Sequence, residues 1–209
     1  MDKDIRILTN LILKNHYRIV GITGISGSGK STLAYRLKER LIQQNKKVIS
    51  ISLDDFVIYQ TYRNFLSLRW RSQPESHNIE WLLEVLNDVK KKKNEFLCFP
   101  RFNKAINEVG LIEIIPYCVD VLILDGWLLG SYEKPIDYIQ PFLDYLIYVE
   151  CSIPIAKKRR FEREKEFQDK NLGFSMVELE EFWNRVILPL YNKNKKDIIK
   201  NSNYLVFNF

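Results

Sequence analysis

An α/β fold, with a mostly parallel sheet between helices on both faces, is what three features of this sequence predict. Apolar runs of strand length alternate with stretches of helical period, from Arg18–Ile22 through Lys47–Leu53 and Val119–Leu124 to Tyr145–Glu150. A glycine-rich turn, Gly21 to Thr32, joins the first run to the helical LAYRLKERLIQQ, the strand-turn-helix order of a βαβ unit. Acids stand at the ends of later strands, Asp54-Asp55 and Asp125, where open parallel sheets bind their ligands.

The chain of 209 residues, 46% of them hydrophobic, suffices for one large domain, and no Pro/Gly/Ser-rich linker divides it. One domain over residues 1–209 is therefore expected, with a helical lid at about 157–173. Neither a leader pattern nor a membrane-length apolar run is present, which predicts a soluble cytoplasmic protein. Cys98, Cys118 and Cys151 are widely spaced beside apolar runs, so buried, reduced thiols are expected. The net charge of +6 comes largely from lysine runs at 90–93 and 193–200, read as solvated helix ends, and does not point to nucleic acid.

Asp4–Asn15 carries Ile5, Leu8, Leu11 and Ile12 at helical spacing and predicts a helix packed on the domain. The turn that follows the first strand contains Gly24-x-x-x-x-Gly29-Lys30-Ser31, the phosphate-binding P-loop pattern in the context it requires. Gly24, Ile25, Ser26, Gly27, Ser28 and Gly29 would wrap the phosphates with backbone N–H groups. Lys30 adds positive charge, Ser31 a hydroxyl for Mg²⁺, and Thr32 opens the helix. ATP and Mg²⁺ are the cofactors this predicts, and the fold becomes a three-layer P-loop NTPase.

At the end of the second strand, one of Asp54 and Asp55 fits a proton acceptor and the other an orienter of metal-bound water. A helix cap plus a solvated acid is the plainer alternative. Tyr59–Ser76 has no clean period; Arg63, Arg69, Trp70 and Arg71 give it a basic, aromatic character suited to covering a ligand or to an ordinary loop. His77 reads first as a turn residue and second as a substrate contact. Ile79–Lys92 is an amphipathic helix.

Phe96–Phe99 is a short strand, followed by a loop whose Arg101 and Lys104 either hold an anionic substrate or are solvated. Leu111–Ile115 reads as an extra strand or a hairpin arm. Asp125, after the apolar strand Val119–Leu124, occupies the Walker B position and would hold Mg²⁺; Trp127 walls an acceptor pocket or belongs to the core.

Ile155–Gln168 is a basic helix. Pairs such as Arg160 with Glu164 fit a solvated face, whereas Arg159 and Arg163, one turn apart, fit a lid closing on a phosphoryl group. Ser175 with Glu178 forms a capping box opening a helix that runs to Leu190, and Tyr204–Phe207 is the closing strand.

With these residues placed, the chain resembles the phosphoribulokinase/uridine kinase family from about Arg18 to Phe207. GISGSGKSTLA, SLDDF, LDGW and the arginine-containing helix stand in that family's order. PESHN, PRFNKA, DGWLLG and GFSMVELEEFWNRVILPLY are most similar to its D-glycerate 3-kinase-like members. The resemblance implies an ATP-dependent kinase acting on the hydroxyl of a small metabolite. It implies Asp54 as base, Asp125 as a metal- or phosphate-site acid, and Arg159, Arg160 and Arg163 as lid residues, with Arg160 and Arg163 catalytic beside Lys30 and Arg159 a nucleotide contact. Asp55, His77, Arg101, Lys104 and Trp127 are the acceptor-site candidates.

The sequence departs from the glycerate group at Ile106-Asn-Glu-Val-Gly, where a glycine-, arginine- and aspartate-containing run is usual, and at Asn78, where an acid is common. D-glycerate, uridine or another nucleoside, and pantothenate all stay open as acceptors. Tyr59, Tyr62, Phe65 and Trp70 offer stacking surfaces for a nucleoside. A nucleotide-binding regulatory ATPase is the alternative from another class, and the oligomeric state is open.

Overall fold

The computed structural model describes residues 2–68, 70, 72–92, 95–103, 106, 108–168 and 175–208. Five parallel strands form the main sheet in the order β2-β5-β1-β6-β7: β1 (Ile19–Thr23), β2 (Val48–Ser52), β5 (Val121–Asp125), β6 (Tyr145–Glu150) and β7 (Tyr204–Phe207). The central strands are apolar at nearly every position because both of their faces are covered.

Alternation along those strands divides the core in two. Val20, Ile22, Val121, Ile123, Ile147 and Val149 point to one face, against α1 (Asp2–Asn15) and α2 (Lys30–Ile42). Leu8 and Ile12 of α1 and Leu33 and Leu37 of α2 are at most 1% exposed. Burial of this kind stabilises by about 1.5–3 kcal/mol per side chain, so the first helix is an integral layer. Ile19, Leu122, Leu124, Leu146 and Tyr148 face the other way. They meet α4 (Ile79–Lys91), α6 (Met176–Phe182) and α7 (Leu188–Asn201).

Among the described residues the remaining strands, β3 (Phe96–Asn103) and β4 (Glu108–Pro116), pair only with each other, as an antiparallel hairpin. Leu111–Ile115 is thus the arm of a hairpin, and Arg101 lies in a strand where a loop was expected. Tyr59–Ser76 holds a short helix, α3 (Gln60–Phe65), and a 3-10 turn at Pro74–Ser76, elements too brief to leave a period in the sequence.

Ser175 caps α6 as expected: its Oγ accepts from the Glu178 N–H at 3.2 Å, and Glu178 Oε2 accepts from the Ser175 N–H at 3.0 Å. A π-helical segment, Trp183–Ile187, links α6 to α7. The expectation of three buried thiols is corrected: Cys151 is buried, but Cys98 and Cys118 are exposed. Cys98 alternates with buried Leu97 and Phe99 and so faces outward on the hairpin, and Cys118 lies beyond the end of β4. No described helix is long and apolar enough to cross a membrane.

Candidate active site

At the C-terminal ends of β1, β2 and β5 a cleft of about 550 Å³ opens, bordered by α5 (Ile153–Gln168). The phosphate loop forms its floor, with Ser26, Gly27, Gly29, Lys30, Ser31 and Thr32 on the lining. Gly24, Ile25 and Ser28 lie beneath that surface, and Ile25 and Ser28 are fully buried. Gly29 takes the N-cap position of α2 with φ +97°, a left-handed conformation that other residues adopt only under strain. Lys30 Nζ folds back on the Ile25 carbonyl at 3.1 Å. Burial pulls its pKa down to about 8 against the attraction of Asp125 and Asp54.

Asp125 ends β5 directly opposite the loop. Its Oδ1 accepts from Ser31 Oγ at 3.3 Å and from Ser52 Oγ at 3.4 Å. Burial pushes this carboxyl up to about 6, although Lys30 pulls the other way. A desolvated carboxylate flanked by two hydroxyls is a hard-oxygen donor set suited to Mg²⁺, which typically takes one or two protein ligands with water and phosphate. Among the described residues no three His, Cys, Asp or Glu side chains gather into a metal site.

The acid pair divides. Ser52 caps the 3-10 turn Leu53–Phe56, and Asp55 closes the capping box with Oδ2 on the Ser52 N–H at 2.8 Å. Asp55 Oδ1 accepts from the Phe102 N–H at 3.0 Å, and Arg101 Nη1 reaches Oδ2 at 3.3 Å. Both Asp55 oxygens thus rivet the turn to the hairpin, although the residue also borders the cleft. Asp54 is partly buried on the lining, close enough to Lys30 and Asp125 to shift both.

Trp127 and the arginines Arg159, Arg160 and Arg163 complete the cleft. Arg160 is 5% exposed and pairs with Glu164, itself 3% exposed and on the lining. The pair read as a solvated surface contact is therefore buried in the cleft wall. Its helix packs against α6, with Lys157 Nζ on Glu180 Oε1 at 2.5 Å and Phe161 against Trp183.

Two acceptor-site candidates, Arg101 and His77, and two residues expected to cover a ligand, Arg63 and Trp70, lie away from the lining. Arg101 is occupied by Asp55, by Glu113 Oε2 at 2.6 Å and by the Ser50 carbonyl at 2.8 Å. His77 is buried, its Nδ1 facing the Gln73 and Pro74 carbonyls at 3.2 and 3.3 Å. Arg63 is buried with Nη1 on the Ile58 carbonyl at 2.8 Å, and Trp70 packs on Phe182. Lys104, Arg69, Arg71 and residues 169–173 of the segment expected to form a lid lie outside the described residues.

Sequence reasoning missed Ser52, Ser72, Phe102, Glu164 and Ile187 as cleft residues. Ser52 carried a signal, since it ends a strand beside the acid pair. The others reach the cleft through tertiary packing.

The model of the phosphoribulokinase/uridine kinase family matches residues 19–194. A uridine kinase of Ureaplasma parvum serovar 3 is 28% identical over 190 residues, 90% of this chain and 86% of that protein. A pantothenate kinase of Bacillus velezensis is 30% identical over 171 residues, 72% of this chain and 52% of that protein. The chain spans about half the length of some relatives it matches, including 48% of an uncharacterised kinase of Schizosaccharomyces pombe. Among solved structures, D-glycerate 3-kinase from Cryptococcus neoformans var. grubii shares the fold. Its TM-score is 0.76 at 17% identity, over 93% of this chain and 89% of that one. With the phosphate loop, the strand-end acids and the arginine helix in one cleft, the chain is an ATP-dependent kinase belonging to the phosphoribulokinase/uridine kinase family.

Proposed function

We propose that this kinase transfers the γ-phosphoryl group of Mg²⁺-ATP to a hydroxyl of a small metabolite, with D-glycerate as the acceptor. The observation that carries the chemistry is the convergence of Lys30, Asp54, Asp125 and Arg163 on one cleft. Lys30 leaves the Ile25 carbonyl for the β/γ-phosphates when nucleotide enters. Ser31 and Asp125 hold Mg²⁺, which when bound neutralises charge on the phosphate oxygens.

Asp54 takes the proton of the attacking hydroxyl, because the Asp55 oxygens are committed to Ser52, Phe102 and Arg101. The acceptor oxygen forms its bond to the γ-phosphorus as the bond to the ADP oxygen breaks. Arg160 and Arg163 stabilise the charge spread over the transferring group, and Arg159 serves the nucleotide. Trp127 and Phe102 line the cleft and exclude water from the reacting atoms.

For D-glycerate the support is the set of motifs shared with that subgroup and the arginines at the cleft, which offer charge-assisted bonds to a carboxylate. Arg101 and His77 do not add to it, since their polar groups are engaged or buried elsewhere. A nucleoside acceptor is the second reading, favoured by Phe102 and Trp127 on the lining and by the extent of the match to a uridine kinase. Pantothenate is the third candidate.

The deciding experiment is a coupled assay of ADP release with D-glycerate, uridine, cytidine, ribosides and pantothenate side by side. The highest kcat/KM is expected with D-glycerate. A much higher value for uridine or pantothenate overturns the glycerate assignment, and acceptor-independent turnover stimulated by RNA would be the mark of a regulatory ATPase.

A further inference from the structure

Ser28, fully buried in the phosphate loop, has its backbone carbonyl held by a 2.6 Å hydrogen bond from Asn208 Nδ2. That carboxamide does not hang on a loose tail. Asn208 follows β7, and its own N–H donates to the Glu150 carbonyl at 2.9 Å, prolonging the parallel β6–β7 pairing. Gly29 makes the approach possible, because a Cβ on it would stand 2.4 Å from Asn208 Nδ2.

The peptide between Ser28 and Gly29 is planar, and the one cis bond among the described residues is Lys134-Pro135. In a trans peptide the carbonyl and the N–H point in opposite directions. Fixing the Ser28 carbonyl against Asn208 therefore turns the Gly29 N–H the other way, and Gly29 lies on the cleft lining.

We propose that Asn208 is a positioning residue for nucleotide: its carboxamide locks the Ser28–Gly29 peptide so that the Gly29 N–H is aimed at a phosphate before ATP arrives. Without this lock the peptide plane is free to rotate and to present its carbonyl oxygen to the anion, replacing attraction with repulsion. A donor fixed in advance costs no reorganisation when the charge arrives. The inference rests on the phosphate-loop reading of the cleft.

Two variants test it, Asn208→Ala, which removes the donor, and Asn208→Asp, which keeps the shape but faces the Ser28 carbonyl with a second acceptor. The probes are inorganic tripolyphosphate, which has no base or sugar, and adenosine, which has no phosphate. Both variants are expected to weaken tripolyphosphate and raise the KM for ATP, Asn208→Ala on the order of tenfold and Asn208→Asp by more. Adenosine affinity, acceptor KM and kcat are expected to stay within about twofold, and the Gly29 amide resonance to move in the free protein.

A loss confined to adenosine overturns the proposal, as does tripolyphosphate affinity that both variants leave intact. Wild-type protein binding tripolyphosphate no more tightly than Lys30→Ala would overturn the phosphate-loop reading itself, and this inference with it. That result is distinguishable from a tight wild-type site that is indifferent to Asn208.

Discussion

The backbone of Gly27 lies so close to the first turn of α5 that a Cβ built on it would stand 2.1 Å from the carbonyl oxygen of Ala156. The phosphate loop and the helix that carries Arg159, Arg160 and Arg163 are therefore in direct backbone contact. Gly27 also has φ +85°, so a side chain there meets both a clash and a strained conformation. Gly27→Ala is expected to weaken an ATP analogue by at least roughly tenfold, since the loop must shift away from α5. Calorimetry decides this, and wild-type affinity would be the contrary result.

Asp54→Asn is expected to bind ATP as wild type does and to lose phosphoryl transfer by about a hundredfold or more, because the amide keeps the shape but accepts no proton. Binding by calorimetry and turnover by coupled assay separate the two effects. Unchanged turnover would move the base elsewhere.

Lys30 gives a pH dependence with a definite sign. Its pKa in the free protein is about 8, so the ammonium that attracts phosphate is present below that pH and is lost above it. The kcat/KM for ATP, which reports free-enzyme ionisations, is expected to fall about tenfold per pH unit above this value. Lys30→Ala should have little activity at any pH and no such limb, while its circular dichroism matches wild type.

Asp125 predicts a trade between stability and activity. Its folded pKa of about 6 exceeds the ordinary 3.8, so between these values the folded protein binds more protons than the unfolded chain. Stability therefore falls as pH rises through that window, and the cost of the buried charge persists in full above it. Asp125→Asn is expected to stabilise the ligand-free protein by about 1 kcal/mol at pH 7.5 and to abolish turnover. A lower melting temperature than wild type at that pH would count against this account.

Arg101 and Asp55 are expected to be coupled in stability, because their contact rivets the hairpin to the turn that bears Asp54. A double-mutant cycle of Arg101→Met and Asp55→Asn in denaturant should give a coupling of about 1 kcal/mol. Additive effects would mean that the contact contributes nothing in solution.

What the sequence made legible follows from locality. The phosphate loop is a contiguous motif, and its pairing with Asp125 follows from strand order, so both could be read without tertiary information. Asp54 and Asp55 could not be told apart, because Asp55 is claimed by the Phe102 N–H and Arg101 from a hairpin whose register no local pattern shows. Arg160 and Glu164 have the spacing of an exposed pair, and their burial depends on the packing of α5 against α6. The contact from Asn208 to Ser28 joins residues far apart in the chain and left no trace in composition or periodicity.

Among the described residues the hairpin β3–β4 shares no strand ladder with the main sheet and meets β2 through the Arg101 side chain on the Ser50 carbonyl, yet its Phe102 reaches the cleft. This gives the molecule a division of labour that is open to engineering. The sheet keeps the register of the phosphate loop and Asp125, while the hairpin is a separate wall, so grafting one from a relative with another acceptor can change what is phosphorylated without rebuilding how, as long as the graft keeps the Arg101 and Phe102 N–H contacts to Asp55.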